Sequence, residues 1–308
     1  MSKVIDGIVG HAIGDALGIP VEFKNRKLFY SDPVKGMKMS HPSGMAVWSD
    51  DTAMEVATID SYINCNGWDY DDIMKNFCDW LNNAKYTASG ETFDVGRTCL
   101  AAIRRYYDGQ TSALESGLEG MNANGNGSLM RILPVALYCF YKKANKKEIL
   151  ELTSNISSLT HRHEVSILGC YIYVLFVIYL LDGKDMFKAY ELIKNEDYSM
   201  FDKASVDLYN RVLKDEIYKL EEDSIKSTGY VVDSLEAALW CLLNTDNYKD
   251  SVLTAVNLGG DTDTIAAITG SMSGIIYGMK TIPKQWINKI MNFDYLIDLG
   301  KKFESAIK

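Results

Sequence analysis

At 308 residues and 47% apolar content, the chain is long enough for one large domain or two ordinary ones and can bury a sizeable core. Its net charge of −9 and pI near 5.0 argue against a nucleic-acid-binding surface, which is normally basic, and are compatible with binding cations. The six cysteines form no CxxC pair and read as buried thiols in a reducing, cytoplasmic setting.

In chain order, the opening MSKVIDGIVGHAIGDALG is interrupted by Asp6 and Asp15, which makes it a poor signal peptide. Apolar residues then recur at spacings of three and four over 51–63, 71–81, 95–107, 128–142, 164–181, 202–222, 234–243 and 262–279. This spacing predicts an all-α chain. The most apolar run, 167–181, falls short of the ~20 residues needed to span a bilayer and reads as a buried helix. Pro20, Pro33, Pro42 and Pro283 lie between the predicted helices, and Pro134 sits near the start of one, where a helix tolerates it. The charged stretch 182–227 reads as a solvated helical layer. No linker rich in Gly, Ser or Pro divides the chain, so residues 1–308 are expected to form one domain.

Glycine recurs every four residues at Gly10, Gly14 and Gly18, and again at Gly270, Gly274 and Gly278. Each glycine inside a helix costs roughly 0.5–1 kcal/mol. That cost is offset if the bare stripe lets another helix come close, which places both terminal helices at the crowded centre of the fold. The alternative is that some of these glycines merely end helices.

Two apolar helices open on acidic clusters, WSDDTAM (48–54) and GGDTDT (259–264). One aspartate at a helix start is an ordinary cap. Here each helix carries two, and no Lys or Arg lies within seven residues of any of the four. A buried carboxylate must be paired or bind a metal. Carboxylate and hydroxyl oxygens are hard ligands suited to Mg²⁺, Mn²⁺ or Ca²⁺, and two such helix starts would suit a pair of ions roughly 3.5–4 Å apart. The segment NANGNGSLMRILP (122–134) runs a glycine loop into a helix start, a place where free N–H groups can receive a phosphate, although a simple turn has the same composition. His161 and His163 flank Arg162 without HExxH spacing, so they read as capping or substrate-contacting residues. No GxSxG elbow is present to activate a serine.

GDALGIPVEF (14–23), WSDDTAM, SGETFDVG (89–96), NGNGSLMR, the Thr160-His161 pair and NLGGDTDT occur in the order found in ADP-ribosylglycohydrolases, over about residues 3–280. The chain most resembles the dinitrogenase-reductase-activating type. The resemblance implies a single compact orthogonal all-α domain with a central pair of Mg²⁺ or Mn²⁺ ions, and hydrolysis of the bond joining ADP-ribose to a protein or small acceptor. By motif, Ser49, Asp50 and Asp51 would ligate one side of the metal pair, and Asp261, Asp263 and Thr264 the other. Ser49 departs from the family's usual threonine but keeps the hydroxyl. Glu22 or Asp261 would act as the catalytic carboxylate. Asn124, Gly125, Asn126, Gly127, Ser128 and Arg131 would cradle the diphosphate, His161 would lie near the substrate, and Asp94 would face the guanidinium of a scissile arginine rather than cap a helix. The expected partner is an ADP-ribosylated protein, arginine-linked by preference. Serine-, O-acetyl- or nucleobase-linked ADP-ribose, and a non-catalytic crystallin-like relative, are the alternatives. Neither membrane nor nucleic acid is expected as a partner.

Overall fold

The computed structural model describes residues 2–308 and is 65% helical. Among the described residues the only β-pairing is three isolated bridges, Ala46–Ile290, Leu118–His161 and Gly125–Tyr230. The longer helices are α1 (Lys3–Gly18), α2 (Asp50–Cys65), α3 (Tyr70–Asn83), α4 (Arg97–Tyr107), α5 (Leu133–Tyr141), α6 (Lys146–Ser158), α7 (Glu164–Leu181), α8 (Met186–Lys194), α9 (Val231–Leu243), α10 (Tyr248–Asn257), α11 (Thr262–Tyr277) and α12 (Phe293–Ile307).

Polar side chains start many of them. Asp69 accepts from the Asp72 N–H at α3, and Asn145 and Glu148 form a reciprocal capping box at α6. Helix α7 is long and apolar enough to cross a membrane, yet 72% of its residues are buried against α5, α6, α8 and α9. It is a core helix.

Helices α1 and α11 pack along their glycine stripes, as the spacing predicts. A Cβ on Gly10 would stand 2.3 Å from the Gly270 carbonyl oxygen, one on Gly14 2.0 Å from that of Ala266, and one on Gly274 2.2 Å from that of Asp6. Gly18 closes the seam directly on Asp263, whose Cα would lie 2.4 Å from a Cβ there. Polar bonds clamp both ends. Thr262 Oγ1 donates to the Gly18 carbonyl at 2.9 Å, and the Met279 N–H donates to Asp6 Oδ1 at 2.9 Å. Gly278 is the exception: with φ +81° it ends α11 instead of lining the seam.

Three other expectations are corrected. The pattern over 128–142 is divided into a 3₁₀ turn, Leu129–Arg131, and α5, because Pro134 lacks an N–H and must sit in the first turn of its helix. The stretch 202–222 forms only short helices, Lys203–Leu208 and Asn210–Leu213, before a 3₁₀ turn at Ile217–Lys219. Cys65 is exposed at the last position of α2, while the other five cysteines are buried.

Candidate active site

The α1–α11 seam opens at its Gly18 end onto a cleft of about 560 Å³. Helix α1 supplies Asp15, and the turn after it supplies Glu22. The start of α2 brings Ser49, Asp50 and Asp51, and the start of α11 brings Asp261, Asp263 and Thr264. The two starts meet: Thr264 Oγ1 donates to Asp51 Oδ2 at 3.3 Å across 213 residues of sequence.

Asp15 was not recognised as a site residue from sequence. Its carboxylate accepts from the Ser49 N–H at 3.0 Å, the Thr52 N–H at 3.1 Å and Thr52 Oγ1 at 2.6 Å, so it caps α2 from another helix. An aspartate buried inside a glycine-striped apolar helix was the available signal. Ser49 caps the same helix locally, and its Oγ donates to Asp51 Oδ2 at 3.0 Å. Asp261, in contrast, makes no side-chain capping bond and accepts from Asn126 Nδ2 at 2.6 Å. Helix capping therefore does not account for it.

Two carboxylate triads result. Asp15, Asp51 and Asp263 offer oxygens that all lie within 4.8 Å of one another, as do Glu22, Asp261 and Asp263. Asp50 stands outside both, on the cleft wall with Gly96. Burial, and then neighbouring carboxylates, push Asp50, Asp51 and Asp263 well above the usual range. Burial also raises Asp15 to about 6, and burial followed by Asp94, Asp261 and Asp15 raises Glu22 to about 8. Asp51 Oδ1 and Asp263 Oδ2 are buried without a hydrogen-bond partner, and among the described residues no Lys or Arg pairs with any member of the triads. Uncompensated buried oxygens of this kind fit hard divalent cations. Beneath them, His11 Nδ1 lies 3.1 Å from Glu55 Oε2; burial lowers the imidazole to about 3 and raises the carboxyl.

Arg97, Asp50 and Asp94 carry charge on parts of the lining, and one wall of the cleft is neutral and polar. Asn124, Gly125, Asn126 and Gly127 line it, pinned by the Asn126 N–H to the Gly229 carbonyl at 3.0 Å and the Val231 N–H to the Asn124 carbonyl at 3.0 Å. A Cβ on Gly127 would lie 2.7 Å from Cys99 Sγ and 2.8 Å from His161 Cε1, so only glycine fits there. His161 lines the cleft with its Nδ1 2.8 Å from Thr160 Oγ1, and burial lowers its pKa to about 3, leaving it neutral. His163 caps α7. Ser128 and Arg131 do not line the cleft. Ser128 Oγ accepts from Ser157, and the Arg131 guanidinium is buried behind the loop, donating to Thr160 Oγ1 at 2.7 Å and to the Ile156 carbonyl, over the Phe77 ring. The arginine of the motif thus props the loop and His161 from within.

Asp94 also lines the cleft, with φ +52°, and α4 begins at Arg97 with Gly96 as its unbonded cap. The capping alternative therefore fails. Instead Asp94 stands close enough to Glu22 for its charge to raise the Glu22 carboxyl. Tyr230, not anticipated from sequence, lines the cleft beside Gly229.

An all-helical core thus holds an acidic cleft floor that could take cations, with a glycine loop along one wall. The ADP-ribosylglycohydrolase family profile matches residues 1–308, and the chain belongs to that family. It is an ADP-ribosyl hydrolase. It is 32% identical to the ADP-ribosylarginine hydrolase Tri1 of Serratia proteamaculans, over 98% of this chain and 79% of the relative. Identity to the ADP-ribosyl-[dinitrogen reductase] glycohydrolase of Rhodospirillum rubrum is 29%, over 94% and 90% of the two chains. A solved ADP-ribosylglycohydrolase-related protein complex shares the fold, with a TM-score of 0.82 at 24% identity, covering 99% of this chain and 98% of its own.

Proposed function

We propose that the chain removes ADP-ribose from arginine side chains of modified proteins, using two divalent cations, Mg²⁺ or Mn²⁺. The observation that carries the arginine assignment is Asp94, a carboxylate in the cleft wall that caps no helix and faces Glu22. Relatives named as ADP-ribosylarginine hydrolases support it.

Asp15 and Asp51 would hold one cation, Glu22 and Asp261 the other, with Asp263 shared between them. When bound, the cations would orient the ribose diol and lower the pKa of a water. In the neutral loop from Asn124 to Gly127 the N–H groups of Gly125 and Gly127 would receive the diphosphate, since that of Asn126 is bonded to the Gly229 carbonyl. Asp94 takes the guanidinium in a charge-assisted pair. As water adds to the anomeric carbon, the C–N bond breaks and its electron pair leaves on the guanidine nitrogen. Asp261, which lines the cleft, stabilises oxocarbenium character at that carbon. Glu22, partly exposed at the cleft and adjacent to Asp94, takes the proton of the attacking water and returns it to the departing guanidine.

The test is hydrolysis of arginine- and serine-linked ADP-ribose, with and without EDTA. Arginine-linked substrate should turn over faster, and EDTA should abolish turnover. Asp94→Asn should lower the arginine-linked kcat/KM by at least about tenfold, or roughly 1.4 kcal/mol, while leaving metal-induced stabilisation intact. Faster cleavage of the serine linkage would reject the assignment.

A further inference from the structure

The chain is acidic as a whole, but residues 23–38, FKNRKLFYSDPVKGMK, carry five basic side chains and one carboxylate. Part of this segment borders a second groove, of about 630 Å³, immediately beside the active-site cleft. Phe23 lines both, and the wall between them is completed where Thr228 gives way to Gly229 and Gly260 to Asp261. Lys24, Arg26, Lys27 and Lys226 line the groove against one carboxylate, Asp223, which is already hydrogen-bonded by Tyr30.

Four cations lining a groove against one already bonded carboxylate is an unusual balance in a chain of net charge −9. Lys24, Lys27 and Lys226 are exposed and, among the described residues, meet no carboxylate. The apolar content of this surface is equally unusual. Phe23 is 75% exposed, and Leu28 and Tyr30 are also exposed. Phe23 is held at φ +58°, a backbone conformation that a phenylalanine adopts only when its surroundings enforce it. The enforcement is visible. The Phe23 N–H donates to the Gly260 carbonyl at 2.7 Å, the Gly260 N–H donates to the Lys24 carbonyl at 2.9 Å, and Arg26 Nε donates to the Leu258 carbonyl at 2.8 Å. The segment is thus fixed to the loop that carries Asp261, and it presents an apolar ring and unpaired cations at the mouth of the cleft.

We infer that this groove docks an acidic stretch of the protein that bears the ADP-ribosyl group, with Phe23 covering an apolar side chain next to the modified residue. The inference rests on the proposed hydrolysis of protein-linked ADP-ribose. A rigid, pre-formed site costs little ordering on binding, and Lys24 gives up only a single bond to the Pro20 carbonyl when it meets a carboxylate. A chain this acidic repels nucleic acid overall, which favours a protein partner.

The experiment measures binding of labelled arginine peptides with acidic, neutral or basic flanks by fluorescence anisotropy at low and high salt. A single-stranded oligonucleotide of equal charge is included. Wild-type protein is compared with the triple variant Lys24→Glu, Lys27→Glu, Lys226→Glu. The acidic peptide should bind about tenfold more tightly than the neutral one, lose that advantage at high salt, and lose it in the triple variant. Hydrolysis of ADP-ribosylated agmatine, which has no flanks, should be unchanged in the triple variant. Equal affinities for the peptides, no measurable binding of the acidic one, or equally tight binding of the oligonucleotide would overturn the docking surface. Failure of wild type to hydrolyse the agmatine conjugate would instead overturn the arginine assignment, because the peptide affinities do not depend on turnover.

Discussion

Gly14→Ala adds a single methyl group, and the structure fixes what it meets. The new Cβ would lie 2.0 Å from the Ala266 carbonyl oxygen and 2.6 Å from its carbon. Both are backbone atoms, so no side chain can rotate away, and α1 and α11 must separate by about 1 Å to restore van der Waals contact. Overpacking of this kind costs about 3 kcal/mol, the upper end of its usual range, while alanine recovers about 1 kcal/mol of helix propensity. The net loss of about 2 kcal/mol corresponds to about 3 °C in Tm for a chain of this size. Activity should suffer far more. The seam carries Asp15 on one helix and Asp263 on the other, and these share a triad with oxygens within 4.8 Å. A 1 Å displacement of such groups costs about 100-fold in rate. Calorimetry paired with turnover on arginine-linked ADP-ribose reads both effects, with Gly67→Ala, which meets nothing within 4 Å, as the control. A Gly14→Ala protein with wild-type turnover would refute the reasoning, whatever its Tm.

Without cations, the native state binds protons more tightly than the unfolded chain, because Asp15 is raised to about 6 and Glu22 to about 8. Their contribution to stability is therefore present below about pH 4 and lost as pH rises through about 6 and 8. The Tm of EDTA-treated protein should fall across that window, and the rise on adding Mg²⁺ or Mn²⁺ should be larger at pH 8 than at pH 5, as read by scanning fluorimetry. Gly127→Val should displace His161 and weaken ADP-ribose binding in calorimetry, with a smaller effect on the metal-induced Tm shift. Arg131→Met should lower ADP-ribose affinity by destabilising the loop, with a loss of about 2–4 kcal/mol in denaturant unfolding because its buried hydrogen bonds to Thr160 and Ile156 are removed.

The α1–α11 pairing was legible because the glycine spacing of four matches one face of a helix and has no cheaper explanation at Gly10, Gly14, Gly270 and Gly274. Gly278 carried the same spacing, and only its backbone angle shows that it ends the helix. Helix α6 was missed although Asn145 and Glu148 write a capping box, because the segment after them is weakly apolar. Asp94 and Asp261 could not be separated from ordinary caps by sequence, since capping depends on where the side chain turns. Asp15 illustrates the opposite difficulty: it does cap a helix, but one that starts 35 residues later, and no local pattern encodes that. Arg131 follows a phosphate-like loop, so its burial behind the loop was invisible to a one-dimensional reading.

The seam between α1 and α11 also sets when this enzyme can exist. Thr262 and Gly18, which clamp it, are 244 residues apart, and Met279 and Asp6 are 273 apart. During synthesis α1 emerges well before α11, with its glycine face bare, because 244 residues separate Gly18 from Thr262. Closing a loop of that length costs about 5 kcal/mol in chain entropy before any contact is made, which marks the seam as a late event in folding. The triads are built across it, so a nascent chain cannot strip ADP-ribose, and any chain cut short of α11 is released without an active site.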